Sequence, residues 1–147
     1  MEKRILIAED DEADLVLMQP VLDKCGVSGQ IMVTEDGEET LDYLYRRGKH
    51  RDAPDRPLEL LLLDLKLPKV SGLEILRQIR GDDRLKNTPV VIFTSSLDER
   101  DKAAALADGA DEFVIKPIDL DAYMAELERI LCAYAVNCCT GATGDAR

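Results

Sequence analysis

Four places in this chain hold side chains that could do chemistry, and each follows directly on a short apolar run. Ile5-Leu6-Ile7-Ala8 leads into the acid pair Glu9-Asp10. Leu58–Leu63 leads into Asp64, Pro89–Phe93 into Thr94 and Ser95, and Glu112–Ile115 into Lys116. Three carboxylates brought together repel one another and cost stability unless a cation offsets them. A hard divalent ion such as Mg²⁺, held by one or two carboxylates and still partly hydrated, suits such a set. Lys116 adds a fixed positive charge and Thr94 a hydroxyl donor. Around one carboxylate this combination makes a receptor for a phosphoryl group, whose equatorial oxygens are neutralised while an Asp64 oxygen attacks in line. The chemistry to expect is phosphoryl acceptance by Asp64.

Each residue also has an ordinary reading. Asp64 would serve as a helix cap, and Glu9 and Asp10 as the acidic first turn of a helix, favoured by its dipole. Thr94 would be a strand-end hydroxyl and Lys116 a solvated lysine. What favours the chemical reading is that all of them fall at the carboxyl ends of strands, where open α/β sheets bind their ligands.

The elements that must position them alternate along the chain. Arg4–Ala8, Gln30–Thr34, Leu58–Leu63, Pro89–Phe93 and Glu112–Ile115 read as strands. The nearly all-leucine third run fits a strand buried on both faces of a parallel sheet. Between them, amphipathic helices are predicted from Ala13 to Lys24, with a distortion at Pro20, and from Asp36 to Gly48. Further helices run from Ser71 to about Arg80, from Ser96 to near Gly109, and from Asp119 to about Tyr134. Asp36-Gly37-Glu38-Glu39 and Ser71-Gly72-Leu73-Glu74 have the form of capping boxes. Five strands and five helices in alternation predict an α/β fold, a five-stranded parallel sheet with helices on both faces joined by right-handed crossovers. Gly48–Pro57, charged and holding Pro54 and Pro57, is a surface loop longer than the usual connection.

Length and composition fit one domain. The chain has 147 residues, 46% hydrophobic and 33% charged, with no Trp, so its core is aliphatic. Its 19 basic residues face 30 acidic ones, a net charge of -11 that argues against a nucleic-acid backbone as partner. No apolar run approaches membrane-spanning length, and the start of the chain lacks a signal-peptide pattern, so the expected location is the cytoplasm. Of the four cysteines, Cys132, Cys138 and Cys139 crowd the last sixteen residues, unlike a disulfide framework. With His50 they match no common zinc spacing, and thiols on a loose tail are the simpler reading.

Across residues 4–134 the chain resembles a receiver domain of two-component signalling, a response regulator. The likeness rests on Ile5-Leu6-Ile7-Ala8-Glu9-Asp10-Asp11, Leu61-Leu62-Leu63-Asp64-Leu65-Lys66-Leu67-Pro68, Ser71-Gly72, Phe93-Thr94-Ser95 and Phe113-Val114-Ile115-Lys116-Pro117. It implies a flavodoxin-like sheet in strand order 2-1-3-4-5 and phosphorylation of Asp64 by a sensor histidine kinase or a histidine phosphotransfer protein. It implies Mg²⁺ held by Asp10, Asp64 and the Lys66 backbone carbonyl, with Glu9 acting largely through water. Thr94 and Lys116 would contact the phosphoryl oxygens, Phe113 would be the aromatic switch, and the Lys116–Pro117 bond would be cis. Glu9 stands where many members have Asp, and Lys66 where Asn is common. The Lys66 side chain either faces the phosphoryl environment or lies in solvent with only its carbonyl counting.

The resemblance is to a stand-alone regulator, with a receiver domain over 1–134 and a short flexible tail over 135–147. The Gly48–Pro57 loop and Leu65-Lys66-Leu67-Pro68-Lys69 are similar to the small regulators paired with bacterial phytochromes. Such regulators often form homodimers through the fourth helix, fifth strand and fifth helix, and Tyr123, Leu127, Ile130, Leu131 and Tyr134 offer apolar surface for that. A haloacid dehalogenase-type phosphatase needs an acid two residues after the nucleophile, where Lys66 stands. A phosphorylation-independent receiver-like binding module would usually lack the acceptor, the acid pair or the lysine, all present here. Neither glycine-rich nucleotide motif occurs.

Overall fold

The computed structural model describes residues 4–135; Ala135, expected in the tail, is buried at the end of the last helix, and the rest of the expected tail, with Cys138 and Cys139, lies outside the described residues. Five strands, β1 (Ile5–Ala8), β2 (Ile31–Thr34), β3 (Leu60–Leu63), β4 (Val90–Thr94) and β5 (Glu112–Ile115), pair in parallel in the order 2-1-3-4-5. Five helices alternate with them: α1 (Glu12–Lys24), α2 (Gly37–Tyr45), α3 (Gly72–Arg80), α4 (Glu99–Ala107) and α5 (Leu120–Tyr134). The predicted α/β class and strand order are those observed.

The period-two alternation of strand side chains divides the core into two layers. Ile5, Ile7, Leu60, Leu62, Val91 and Phe93 point to one face, where they meet Met18, Val21 and Leu22 of α1 and Leu127, Ile130 and Leu131 of α5. Leu6, Leu61, Leu63, Val90 and Ile92 point to the other, against Leu41 and Leu44 of α2 and Ile75, Leu76 and Ile79 of α3. Each of the four β3 leucines is at most 2% exposed. Burying one such side chain contributes roughly 1.5–3 kcal/mol, so β3 is the best-anchored strand and a fixed platform for the residue that follows it.

Local chemistry sets the helix ends. Asp11, Asp36, Ser71, Asp98 and Asp119 are the N-caps, each accepting a backbone N–H of the first turn. For α4 this corrects the expected start at Ser96: Asp98 caps the helix, and Ser96 is used elsewhere. α2 ends at Tyr45 rather than Gly48, because Arg46 adopts a left-handed conformation with φ 54 and closes the helix. Gly48 instead opens a single 3₁₀ turn, Gly48–His50, inside the loop read as irregular. α1 runs unbroken through Pro20, which is exposed. β3 starts at Leu60 rather than Leu58, although Leu58 is buried as a core side chain.

Candidate phosphoryl-acceptor site

The backbone ladder continues one residue past three strands and thereby places the site. Glu9 N–H donates to the Thr34 carbonyl at 3.0 Å, Asp64 N–H to Ala8 at 3.1 Å, and Lys116 N–H to Thr94 at 2.7 Å. Glu9, Asp64 and Lys116 are thus held with the stiffness of the sheet while their side chains project beyond its edge. Thr94 is the last residue of β4, paired with Ile115.

Gly72 fixes the other side of Asp64. A Cβ at that position would lie 2.3 Å from the Asp64 carbonyl oxygen and 2.8 Å from the Leu65 Cα, so only glycine lets α3 start this close to β3. The Gly72 N–H donates to the Leu65 carbonyl at 2.8 Å, tying the turn shut.

Lys116 lies at the centre. Its Nζ donates to Glu9 Oε1 at 2.7 Å, Asp14 Oδ2 at 2.9 Å and Asp64 Oδ2 at 3.1 Å. The other oxygen of Asp64, Oδ1, accepts from Thr94 Oγ1 at 2.9 Å and from the Lys66 N–H at 3.3 Å. Glu9 Oε2 accepts from the Asp11 N–H at 3.2 Å. Asp10 is exposed, while the Glu9 side chain is 2% and that of Asp64 10% exposed.

One ammonium among the carboxylates of Glu9, Asp10, Asp14 and Asp64 leaves an excess of negative charge. Burial pushes the Glu9 carboxyl up to about 7; the Lys116 hydrogen bond opposes this and the Asp64 charge adds to it. For Lys116, burial alone would disfavour the charged form, but hydrogen bonds to Glu9 and Asp14 and the field of Asp64 hold its pKa above the usual lysine range. Lys116 is therefore a permanent cation.

One oxygen each from Glu9, Asp10 and Asp64 lie within 4.8 Å of one another. An all-carboxylate set with one exposed member and an excess negative charge fits a hard divalent cation that keeps part of its water shell. The Cys and His alternative does not assemble among the described residues: His50 Nε2 bonds Glu39 at 2.9 Å and its ring stands edge-on to Tyr43.

Two residues of the site were not anticipated from sequence. Asp14, in the first turn of α1, is a third carboxylate on Lys116. Tyr123, read as apolar surface on α5, is 3% exposed and donates its hydroxyl to Asp14 Oδ1 at 2.8 Å. Burial and that hydrogen bond hold its phenol neutral. The other α5 residues offered for a dimer are also committed inside the fold. Leu127, Ile130 and Leu131 are core, and Tyr134 donates to Glu112 at 2.6 Å. The exposed apolar side chains on this side are instead Leu106, Ile115, Ile118 and Leu120.

The Lys66 side chain is exposed, and its charge helps, behind Arg100, to hold the Asp98 carboxyl low. It belongs to solvent and the β4–α4 loop, not to the Asp64 oxygens. Phe113 is half-buried against the α3–α4 layer. The Lys116–Pro117 peptide, expected cis, is trans, as are all peptides of the described residues; trans is the isomer an X–Pro bond ordinarily favours. Ser96 links Thr94 to α4. Its N–H donates to Thr94 Oγ1 at 3.3 Å, and its hydroxyl donates to Asp101 at 2.6 Å. None of the described helices is long and apolar enough to cross a membrane.

Comparison with known proteins agrees with this geometry. Residues 5–128 match the model of the response regulator receiver domain. The chain is 39% identical over 103 residues to response regulator Rcp1 of Synechocystis sp., covering 70% of this chain and 69% of that protein. It is 35% identical over 127 residues to a probable methanogenesis regulatory protein, FilR2, of Methanothrix harundinacea, covering 86% of this chain and 79% of that protein. Among solved structures it superposes on the phosphorylated cyanobacterial phytochrome response regulator RcpA with a TM-score of 0.84 and 30% identity, over 91% of this chain and 94% of that one. For the Mn²⁺-bound form of Rcp1 the values are 0.80 and 33%, over 88% and 92% of the two chains. The sheet order, the acid cluster at its carboxyl edge and these matches lead to one assignment: the chain belongs to the response regulator receiver domain family of two-component signalling.

Proposed function

We propose that this protein is a response regulator that accepts a phosphoryl group on Asp64 from the phosphohistidine of a sensor histidine kinase or a histidine phosphotransfer protein. The observation that supports this best is the division of labour at Asp64: Lys116 bonds one carboxylate oxygen, and Thr94 with the Lys66 N–H bonds the other. In the transfer, an Asp64 oxygen forms a bond to phosphorus as the phosphorus–nitrogen bond of the donor histidine breaks, and the electron pair leaves with the imidazole nitrogen. Lys116 holds its charge beside the developing acyl phosphate, and Thr94 gives up Asp64 to bond a phosphoryl oxygen.

Glu9, Asp10, Asp64 and the Lys66 carbonyl are the groups that would hold Mg²⁺, which when bound supplies charge neutralisation for the phosphoryl oxygens. The signal then leaves through Thr94. Drawn to the new oxygens, Thr94 pulls on Ser96 and through it on Asp101 of α4, and Phe113 turns into the space vacated. The face built by α4, β5 and α5 shifts between two states. Leu106, Ile115, Ile118 and Leu120 on that side suit a homodimer contact. The likeness to RcpA and Rcp1 makes a phytochrome-type kinase the donor to try first.

Intact-protein mass after incubation with acetyl phosphate tests the reading. The wild type is expected to gain one phosphoryl adduct, removable with hydroxylamine, only with Mg²⁺, and the Asp64→Asn variant none. Absence of an adduct in every condition would replace this function with that of a phosphorylation-independent binding module on the same fold.

A further inference from the structure

The opposite end of the sheet holds a second concave site, built from positive charge in a strongly acidic protein. A cavity of about 200 Å³ opens at the amino ends of β1, β3 and β4, lined in part by Arg4, Arg46, Arg84, Asn87 and Thr88. Asp55, on the Gly48–Pro57 loop, is the one carboxylate of its lining.

The arginines there are poorly compensated. Arg4 is 9% exposed; it donates to the Arg56 carbonyl and, at 2.9 Å, to the Tyr43 hydroxyl, and lies against the Tyr43 ring. All of these partners are neutral, and among the described residues no carboxylate comes within ion-pair distance of Arg4. A buried guanidinium without a counter-charge carries an unrepaid desolvation cost. Arg46 Nε is buried with no hydrogen-bond partner, a rare condition for a charged donor. Arg46 also occupies a left-handed backbone position, φ 54, that non-glycine residues seldom adopt. Among the described residues, the one acid within ion-pair distance of the Arg46 and Arg84 guanidiniums is Asp55, at 3.4 and 3.7 Å, and its side chain is 68% exposed. Ion pairs that long and that wet contribute little.

Three guanidiniums less one weakly engaged carboxylate leave about two positive charges around a cavity that takes a small ligand. Guanidinium forks match the oxygens of phosphate and carboxylate groups, and the charge balance favours a dianion. We infer that this cavity is a binding site for a phosphate-class oxyanion, either the free ion or a small phosphomonoester, at the end of the sheet remote from Asp64. Arg4 and the buried Nε of Arg46 would supply the inner donors, and the half-exposed Arg84 one that closes over the ligand. Displacing Asp55 from Arg46 and Arg84 would be part of binding.

The test is an amide chemical-shift titration of ¹⁵N-labelled protein in metal-free buffer at constant ionic strength. The probes are inorganic phosphate, glycerol phosphate and, as the carboxylate control, acetate. Phosphate is expected to give saturable shifts at Arg46, Asp55, Asn87 and Thr88. Binding should weaken about tenfold in Arg84→Ala, the loss of one charged contact, and in Arg46→Asn, whose side chain tolerates the left-handed backbone. Asp55→Asn, on an exposed loop, should bind more tightly. Equal shifts with glycerol phosphate would identify an ester-accepting site, and shifts with phosphate alone a free-ion site. Shifts that do not saturate, that acetate reproduces at equal concentration, or that leave affinity unchanged in both arginine variants and in Asp55→Asn would overturn the assignment.

Discussion

α3 and α4 are both nine residues long, and both follow a strand whose end carries a residue of the site, yet they are attached very differently. α3 buries Ile75, Leu76 and Ile79 completely and begins at a glycine pressed on the Asp64 backbone. Its Arg80 reaches across to the carbonyls of Gly109, Lys86 and Thr88 and to Asp111. α4 buries a single residue, Ala105, and exposes Leu106. Its link to the site is polar, through Ser96 to Thr94 and Asp101. Under the proposed function, a phosphoryl group on Asp64 would meet a rigid wall on the α3 side and a lightly held helix on the α4 side. Low local stability is where conformational response is drawn from, so under the proposed function the difference in buried side chains between two helices of equal length would send the response through α4.

The sharpest way to break this comparison is at Gly72. Gly72→Ala forces a methyl group onto backbone atoms that cannot yield, and a loss of about 4 kcal/mol is expected in urea unfolding. A loss under about 1 kcal/mol would mean that α3 is not seated on β3 as described. Next comes the pair Ile75→Ala and Ala105→Gly. Removing the α3 side chain should cost about 3 kcal/mol, whereas the α4 change should cost about 1 kcal/mol, mostly helix propensity. Equal costs would remove the asymmetry.

Acidity sharpens the comparison from the site itself. The Glu9 carboxyl stands at about 7 in the folded protein against 4.5 ordinarily, raised chiefly by burial. Between those values the folded state keeps a proton that the unfolded chain has released, so metal-free stability falls as pH rises from about 4.5 to about 7. The expected loss is on the order of 2 kcal/mol, followed by the urea midpoint, and Mg²⁺ should restore most of it at the upper end. The strain falls on β1 and β3, not on α4, so amide exchange in α4 should not follow this titration. A flat midpoint would show that Glu9 is ionised throughout.

Much of this was legible in the sequence because the signals are local. Apolar runs ending in an acid, a hydroxyl or a lysine specify both the strands and what stands at their ends, and the caps read at Asp36, Ser71, Ser96 and Asp119 specify four helix starts to within about two residues. What escaped was set by contacts distant in the chain. Asp14 satisfies the dipole rule for a first turn, which hid its bond to Lys116, 102 residues away. Tyr123 sits in an apolar stripe, and only the fold shows its hydroxyl reaching Asp14. Ser96 has the form of a cap because a Ser three residues before Glu99 has the capping-box spacing; the choice of Asp98 is made by the bonds of Ser96 to Thr94 and Asp101 in space. The end of α2 at Arg46 had no sequence signal, since arginine is an uncommon residue for a left-handed position.

Hydrogen exchange by mass spectrometry, run on the protein with Mg²⁺ before and after acetyl phosphate, tests the central claim most directly. Phosphorylation is expected to change protection in Ser95–Lys116, covering α4 and β5, and to leave Gly72–Arg80 unchanged. A change confined to α3, or equal in the two segments, would contradict the account.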